Sequence, residues 1–392
     1  MIQTLLVYLS LLFCMVFFVL PGVKLRFTLS SRYFNIHNIS IVLASLIFAV
    51  IFGLRYGVGV DHIGYMERYI SYQSGDMWWA FLHYQPGYRF IAELFANLGF
   101  HFWIYFAFWA FLQVFFILWA IRRNQKEILP FLIFSFILGG TAFSYMNLIR
   151  QAISVSFFIF SIEFIYKRKL LLYYLLIIIA FYFHQSALIL VPIYFIFRFK
   201  KSFYFKRIWI QYILLGISLF ILYQNYIEVI FKFLINYADF FGYEHYFNKI
   251  FSGKMHLLYS LTRSRGIGFY LILIQNIILI AYSNKVKEFF SKGYFSIIYD
   301  LYFVGVIYGY ISNGSIILSR PNYYFNCLNF IVVAYTLHFT FKNLKLHRNY
   351  FFIFIFLILL NVLIFAALMY RMNENSYRFI FFWQDHLFYL KS

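Results

Sequence analysis

Three short polar stretches, each at the end of an apolar run, contain the side chains that could do chemistry. They are Leu54–Asp61, Leu148–Gln151 and Phe183–Ala187. Charged and titratable groups are costly beside hydrocarbon, so they usually serve a function there. Arginine offers a planar fork of donors that suits phosphate oxygens, whereas histidine and aspartate can accept a proton. The stretches therefore indicate a site for an acidic ligand next to a membrane.

Arg55, the arginine of the first polar stretch, directly follows an apolar run. It precedes Gly57 and Gly59, which allow the backbone to approach a ligand closely. Two structural alternatives explain the same pattern: an ion pair between Arg55 and Asp61 at the loop entrance, or an arginine that extends to the lipid headgroups. The residues alone leave these alternatives open.

Two further arginines lie in similar surroundings. Arg150 stands between two apolar segments beside Gln151, and Arg320 follows an apolar run that ends in Ser319. A snorkelling arginine at a helix end is the structural alternative for each. Three isolated arginines on one predicted side of the membrane favour a shared anionic ligand, and a diphosphate is the natural choice.

Two residues are candidates for a general base. His184, followed by Gln185 and Ser186, could take a proton from an acceptor hydroxyl or donate to a phosphate. The alternative is a core histidine that is hydrogen-bonded to a backbone carbonyl. Asp61 is the rival base, and the sequence does not choose between the two.

Other charged residues fall in or near the apolar segments. Glu163 is expected to pair with Lys167, one helical turn further on, and Asp300 is an intramembrane carboxylate whose role stays open. Arg263 and Arg265 could face a lipid headgroup or the ligand. Aromatic rings can pack on the CH faces of sugars, although interfacial anchoring explains most of the aromatic content. The candidate sugar platforms are Trp78, Trp79 and Tyr84.

The composition places the chain among polytopic membrane proteins. Of its 392 residues, 64% are hydrophobic and only 12% are charged, and the mean hydropathy is +0.77. One soluble core could not bury so much apolar surface. The net charge of +20 comes from scattered residues and not from one basic face, so nucleic acid is not expected as a partner. Cys14 and Cys327 show no metal-binding spacing, and neither a metal nor a cofactor is expected.

The apolar segments predict an all-α protein with about twelve transmembrane helices and both termini outside. Six predicted cytoplasmic connections hold 20 of the 33 Lys and Arg residues in 55 positions, whereas the predicted outer segments hold 13 in 134 positions. Basic loops resist translocation, so this asymmetry sets the orientation. The predicted spans are 2–20, 39–54, 102–121, 128–146, 150–166, 169–183, 186–199, 208–223, 267–283, 295–311, 320–340 and 351–370.

Two features of this topology concern the candidate site. The stretch 169–199 is too long for one span and too short for two full ones, so we expect a hairpin of two short helices with His184 at its tip. Two large extracytoplasmic loops, 55–101 and 224–268, are expected to contain further candidate residues. No repeat or separable soluble domain is found, which predicts one integral membrane domain over residues 1–392.

Four motifs together resemble the EpsG/Wzy group of polysaccharide polymerases. They are Arg55–Asp61 with Tyr65, Gln85–Tyr88, Ser144–Gln151 and His184–Ala187. The similarity covers about the first half of the chain, and Arg320 matches a late outer arginine of the group. In this interpretation the catalytic residues are His184, Asp61 and Arg150. The substrate-binding residues are Arg55, Arg320, Tyr56, Gln151, Gln185, Tyr65 and Arg265.

The resemblance implies a multi-pass enzyme of the bacterial plasma membrane that acts on its outer face. Such enzymes join oligosaccharide repeat units carried on undecaprenyl diphosphate, for O-antigen or capsule, without a nucleotide sugar or a metal. Expected partners are the lipid-linked oligosaccharide, membrane lipid, a chain-length regulator and a flippase. Two other functions remain open at this point, namely a flippase for lipid-linked oligosaccharides and a ligase that moves finished chains to another acceptor.

Overall fold

The computed structural model describes residues 2–20, 36–75, 85–198, 205–223, 266–290, 293–312, 316–371 and 377–384. Over these ranges the protein is all-α, with 85% of residues in helices and no strands. The predicted all-α class is therefore confirmed.

The first nine helices contain the candidate motifs. They are α1 (Ile2–Val19), α2 (Ile36–Gly53), α3 (His62–Ser74), α4 (Pro86–Asn97), α5 (Phe102–Gln125), α6 (Leu129–Leu138), α7 (Thr141–Asn147), α8 (Ile149–Tyr166) and α9 (Leu170–Phe183).

The remaining helices complete the described part of the chain. They are α10 (Ile193–Arg198), α11 (Ile208–Tyr223), α12 (Ile267–Phe289), α13 (Tyr294–Ser312), α14 (Ile316–Asn326), α15 (Asn329–Lys342) and α16 (Arg348–Tyr370). Short 3-10 helices cover Lys126–Ile128, Gln185–Leu190 and Phe382–Gln384.

The chain forms two compact units. The first contains Met1–Gln185 and Val333–Ser392, and the second contains Ser186–Val332. Arg55, Arg150 and His184 belong to the first unit, and Arg320 belongs to the second. The prediction of one integral membrane domain over residues 1–392 stays a prediction.

Several helices have the length and composition of membrane spans, so the protein is a multi-pass membrane protein. Among the described residues, seven helical stretches are long and apolar enough to cross a membrane. Four shorter apolar helices cover Ile39–Gly53, Leu170–Phe183, Gln185–Arg198 and Ile208–Tyr223. The predicted number of twelve spans is not confirmed.

Breaks inside the predicted spans explain part of the difference between the twelve predicted spans and the seven long apolar stretches among the described residues. The predicted segment 128–146 is divided into α6 and α7 at Gly139 and Gly140, where Gly140 has a φ of 85°. A left-handed φ suits glycine and interrupts an α-helix. The predicted hairpin 169–199 shows the expected break, because α9 ends at Phe183 and a 3-10 helix begins at Gln185. At 14 residues, α9 is only about 21 Å long.

The two large predicted loops are not confirmed. The loop 55–101 contains α3 and α4, which are amphipathic: α4 buries Tyr88, Ala92 and Ala96 at a spacing of one helical turn. These helices therefore form part of the first unit. Most of the other predicted loop, 224–268, lies outside the described residues, and α12 begins at its end.

Helix α8 is the most deeply buried of the helices that carry a motif, and it contains a buried carboxylate, Glu163. At its far end, the buried Glu163 carboxylate accepts a hydrogen bond from Lys167, one turn on, and forms an ion pair with Arg123 Nη2 of α5 at 3.2 Å. The predicted Glu163–Lys167 pair is thus confirmed. The ion cluster ties α8 to α5 at the end opposite Arg150.

The second unit has its own buried polar network. Asn276 Oδ1 accepts from Tyr302 at 2.7 Å and from Asn329 at 3.3 Å, and its amide donates to Tyr310 at 3.2 Å. Hydrogen bonds of this kind hold helices together in an apolar environment. Asp300 is buried in this unit, and its role stays a prediction.

Candidate functional site

Arg55 is a buried cation that connects two helix ends. Its side chain is only 2% exposed. Nη1 donates to the carbonyl of Phe52 at 3.0 Å, and Nη2 donates to the carbonyl of Met146 at 3.1 Å. Phe52 is in the last turn of α2 and Met146 is in the last turn of α7. Carbonyls in these turns lack helical partners, and the negative end of the helix dipole favours a cation there.

The surroundings of Arg55 are otherwise aromatic. Its guanidinium carbon lies 5.3 Å from the centre of the Phe52 ring and 5.6 Å from that of Phe106. Burial lowers the pKa of Arg55 to about 10, so the group stays protonated at neutral pH. Its described hydrogen bonds go to backbone carbonyls and not to Asp61. The contacts thus fit a framework residue, and its predicted diphosphate contact stays a prediction.

The glycine-rich turn after Arg55 packs against the end of α7. Gly59 has a φ of 98°, and a Cβ there would collide with Oδ1 of Asn147. Only glycine fits this combination of backbone angle and contact. The turn is closed by His62, whose Nδ1 accepts from the backbone N–H of Gly57 at 3.2 Å.

His62 is buried and electrically neutral. Burial and the nearby charge of Arg55 hold the pKa of His62 well below its ordinary value of 6.5. Because Nδ1 accepts a hydrogen bond, the ring proton lies on Nε2. The ring packs on Phe106, with centroids 4.7 Å apart.

The C-terminal segment 377–384 pairs with the same turn. The N–H of Tyr56 donates to the carbonyl of Ile380 at 2.8 Å, and the N–H of Phe382 donates to the carbonyl of Leu54 at 3.0 Å. Arg55 and Phe381 thereby form an antiparallel bridge.

Arg150 lies in the first turn of α8 and is half-buried. Nη1 donates to Oε1 of Gln85 at 2.6 Å, and Nε donates to the hydroxyl of Tyr65 at 3.4 Å. Its guanidinium carbon is 5.9 Å from the centre of the Tyr65 ring. Tyr65 comes from α3, and Gln85 directly precedes α4. Three of the four motifs therefore meet at one guanidinium group.

His184 is held at a fixed place relative to the Arg150 helix. The carbonyl of Ala180 accepts from the N–H of His184 at 2.9 Å and from the hydroxyl of Ser154 at 3.0 Å. Ser154 is one turn after Arg150 on α8. A Cβ on Gly87, two residues after Gln85, would lie 3.0 Å from the carbonyl of Tyr182. The fourth motif is thus packed against the elements that hold Arg150.

The two base candidates differ in exposure. Asp61 is exposed and directly precedes α3, and its carbonyl accepts from the N–H of Tyr65 at 3.1 Å. His184 is half-buried at the end of α9. Tyr65 is one turn after Asp61 on the chain, and Ala180 is one turn before His184. The geometry leaves both residues as candidates.

The other predicted site residues differ in exposure and in the compact unit to which they belong. Gln151 is buried at 2% exposure, Tyr56 is half-buried, and Gln185 is exposed. Arg320 is half-buried in α14 of the second unit, so its share in this site stays a prediction. Five predicted residues lie outside the described ranges, namely Trp78, Trp79, Tyr84, Arg263 and Arg265.

The structure adds residues that the sequence analysis did not select. Gln85 and Asn147 belong to the quoted motifs, and His62 directly follows Asp61, so a local signal existed for these three. Tyr377 accepts a hydrogen bond from the Asn147 amide at 3.1 Å, and no local signal in the tail pointed to it. Within the described ranges, no group of three or more His, Cys, Asp or Glu side chains is placed to hold a metal ion.

Comparison with known proteins gives one result. A family model described as the EpsG family matches residues 38–380, which is most of the chain. The match includes all four motifs and extends through both compact units. No curated protein and no solved structure matches the chain.

Proposed function

Because the chain belongs to the EpsG family, we propose that it polymerises oligosaccharide repeat units carried on undecaprenyl diphosphate. The reaction takes place on the outer face of the bacterial plasma membrane, and its product is O-antigen, capsule or a related exopolysaccharide. Family membership already indicates a polysaccharide polymerase-like protein that crosses the membrane several times. The proposal adds the substrate, the membrane face and the residues.

One observation carries the proposal, which is the position of Arg150. It lies in the first turn of α8, where the positive end of the helix dipole disfavours a cation and favours an anion. Its described partners are side chains, Gln85 and Tyr65, which can rotate when a ligand arrives. A guanidinium group in the first turn of a helix combines a positive side chain with the positive end of the helix dipole, and this combination suits a diphosphate.

The chemistry is a transfer of one sugar chain between two lipid carriers. An acceptor hydroxyl forms the new glycosidic bond at the anomeric carbon of the donor sugar. The bond from that carbon to the diphosphate breaks, and the diphosphate keeps the electron pair. Arg150 stabilises the negative charge that develops on this leaving group. Fixed positive charge is most effective where water is largely excluded.

The acceptor hydroxyl loses its proton to a base, either His184 or Asp61. Replacing each by its neutral amide counterpart distinguishes them. The variant that loses the base, His184→Gln or Asp61→Asn, loses transfer activity at every pH, whereas the other keeps most of it. General base catalysis contributes about 10²–10⁴ in rate, so the contrast is measurable.

The remaining predicted residues have supporting roles in this proposal. Tyr65, Gln151, Gln185 and Tyr56 contact the substrate or hold Arg150, and Arg55 adds positive charge from within the framework without touching the ligand. The predicted diphosphate contacts of Arg320 and Arg265 stay predictions. The lipid-linked oligosaccharide and membrane lipid are the partners, together with a flippase and a chain-length regulator. The reaction needs no nucleotide sugar.

The experiment uses cells that lack the native gene. We expect them to accumulate single lipid-linked repeat units on the outer face of the membrane. The wild-type gene restores long chains, whereas Arg150→Ala and Arg150→Lys do not, because the loss of one such donor lowers the rate by about 10²–10³. Arg89→Lys is the matched control: Arg89 is an exposed arginine of α4 that pairs with Glu93 at 2.6 Å.

Three results would contradict the proposal. Full-length polysaccharide from Arg150→Lys cells, at a normal amount of protein, would remove Arg150 from the mechanism. Repeat units trapped on the inner face of the deletion strain would identify a flippase instead of a polymerase. Chains that are long but not attached to their final acceptor would identify a ligase.

A further inference from the structure

The C-terminal segment 377–384 contacts the turn after α2, helix α1 and His101, all in the first unit. Its backbone pairs with Leu54 and Tyr56, as described above. Phe379 donates its N–H to Oγ1 of Thr4 at 3.1 Å, and the carbonyl of Tyr377 accepts from the hydroxyl of Tyr8 at 3.0 Å. The ring of Phe382 lies 5.5 Å from that of His101. This segment is therefore built into the fold beside the candidate site.

Within the segment, Tyr377 contacts Asn147, which lies three positions before Arg150. Its hydroxyl accepts from Nδ2 of Asn147 at 3.1 Å, across 230 positions of sequence. Asn147 is the last residue of α7, and Leu148 has non-helical angles, with φ at −97° and ψ at 49°, before α8 begins. The bend between α7 and α8 sets the direction in which Arg150 leaves the backbone.

Three contacts hold this bend from different sides. Arg55 binds the carbonyl of Met146, Gly59 packs on Oδ1 of Asn147, and Tyr377 binds the amide of Asn147. Oδ1 of Asn147 is buried and has no hydrogen-bond partner among the described residues. The described polar contact that fixes the orientation of this side chain is therefore the Tyr377 hydroxyl.

We propose that Tyr377 is a positioning residue of the active site, which acts through Asn147 to place Arg150. The proposal rests on the proposed function for its activity test. It gives the C-terminal segment a part in the transfer reaction, although Tyr377 lies 230 positions from Asn147 in the sequence.

Tyr377→Phe removes only the hydroxyl. The ring keeps its contact with Phe143, with centroids 4.9 Å apart, and the backbone keeps its bond from Tyr8. We expect transfer activity to fall about five- to tenfold, as the loss of one buried hydrogen bond predicts. Tyr370→Phe is the matched control, because Tyr370 is 91% exposed at the end of α16 and should keep wild-type activity.

The decisive measurement compares the effect of Tyr377→Phe on the transfer rate in wild-type, Asn147→Ala and Arg150→Lys proteins. Each assay uses an equal amount of monodisperse protein. The substrate is the lipid-linked repeat unit extracted from the deletion strain. If Tyr377 acts through Asn147 and Arg150, Tyr377→Phe lowers the rate in wild-type protein but not in Asn147→Ala or Arg150→Lys protein. An equal loss in all three backgrounds, which a merely smaller folded fraction would give, overturns the proposal.

A pair of truncations tests the whole segment. A chain that ends at residue 384 keeps every described contact of the segment, whereas a chain that ends at residue 376 loses all of them. We expect the first to polymerise normally and the second to be inactive. An active chain ending at residue 376 would overturn the proposal.

A labelling experiment separates this proposal from the proposed function. Arg150→Cys, in a protein with Cys14→Ser and Cys327→Ser, is alkylated by a water-soluble thiol reagent. Adding Tyr377→Phe should change the labelling rate at position 150, and adding Tyr370→Phe should not. An unchanged rate contradicts the positioning role even if the protein polymerises nothing. Normal polysaccharide in the deletion strain contradicts only the proposed function.

Discussion

Arg55 and Arg150 both follow apolar segments, but they lie at opposite kinds of helix end. Arg55 binds carbonyls in the last turns of α2 and α7, where the helix dipoles favour a cation. Arg150 lies in the first turn of α8, where the dipole favours an anion. Arg55 is 2% exposed and bound to backbone, whereas Arg150 is half-buried and its described hydrogen bonds go to side chains.

The difference shows how similar sequence contexts can lead to different roles. A cation whose described hydrogen bonds go to backbone carbonyls stabilises the fold, because those carbonyls cannot move without unfolding a helix end. A cation held by side chains beside a helix N-terminus can exchange those partners for a ligand. The two arginines should therefore respond differently to mutation.

The largest effect on stability is expected at Arg55. Arg55→Met leaves the carbonyls of Phe52 and Met146 without their donor and removes two charge-assisted hydrogen bonds. We expect the free energy of unfolding to fall by about 3–6 kcal/mol, from about 1.5–3 kcal/mol for each such bond. Thermal unfolding in detergent measures it, with Arg150→Met as the comparison, which should unfold near the wild-type temperature.

The contrast would fail if Arg55→Met unfolded at the wild-type temperature but could not polymerise. That result would make Arg55 a ligand-binding residue, as the sequence first suggested.

The ion cluster at the far end of α8 predicts the next effect. Glu163 is fully buried, whereas the side chains of Arg123 and Lys167 are 42% and 39% exposed. Replacing both cations by methionine leaves a buried carboxylate without its partners, and we expect a loss of about 3–5 kcal/mol. Glu163→Gln should destabilise less, because water can solvate the two exposed cations.

Glu163→Gln and the double replacement of Arg123 and Lys167 by methionine should both retain polymerase activity per folded molecule. Equal destabilisation by Glu163→Gln and by the double cation variant would contradict the assignment of a structural ion cluster. A selective loss of activity would show that the two ends of α8 do not have separate roles.

The smallest predicted effect concerns the free energy of unfolding, which should depend on pH because His62 is buried next to Arg55. Its pKa in the folded protein is well below 6.5, so below pH 6.5 the unfolded chain binds a proton that the folded one does not. Stability contributed by neutral His62 is therefore present at pH 7 and is lost as the pH falls. The slope is at most about 1.4 kcal/mol per pH unit.

His62→Gln tests this contribution. The difference in unfolding temperature between pH 7.5 and pH 5.5 should be smaller in the variant than in the wild type. Identical differences in both proteins would show that His62 is solvated in the folded state and that the turn around Gly57 is looser than described.

The sequence predicted the helical class, because apolar runs are local signals, whereas the predicted number of twelve transmembrane helices is not confirmed. It also predicted the break at His184 and the Glu163–Lys167 pair, which depend on residues one turn apart. It did not predict that α3 and α4 form helices within the predicted loop. Their sequences mix tyrosines with polar residues, and their amphipathic faces are short.

Contacts between distant residues could not be predicted. Nothing near Arg55 in sequence indicates that Met146 would supply a carbonyl, and nothing near Tyr377 indicates Asn147. Such pairs form only when helices pack, so one sequence shows the residues but not the partners. The different partners of Arg55 and Arg150 could therefore not be predicted from the sequence, and the predicted contact of Arg55 with the ligand stays a prediction.

The central claim is that Arg150 stabilises the departing diphosphate, and the rate of sugar transfer by purified protein tests it most directly. The substrate is the lipid-linked repeat unit from the deletion strain, and the release of the carrier diphosphate is followed. We predict that Arg150→Lys releases it about 10²–10³ times more slowly than the wild type, while Arg89→Lys matches the wild type. Wild-type release by folded Arg150→Lys protein would contradict the claim.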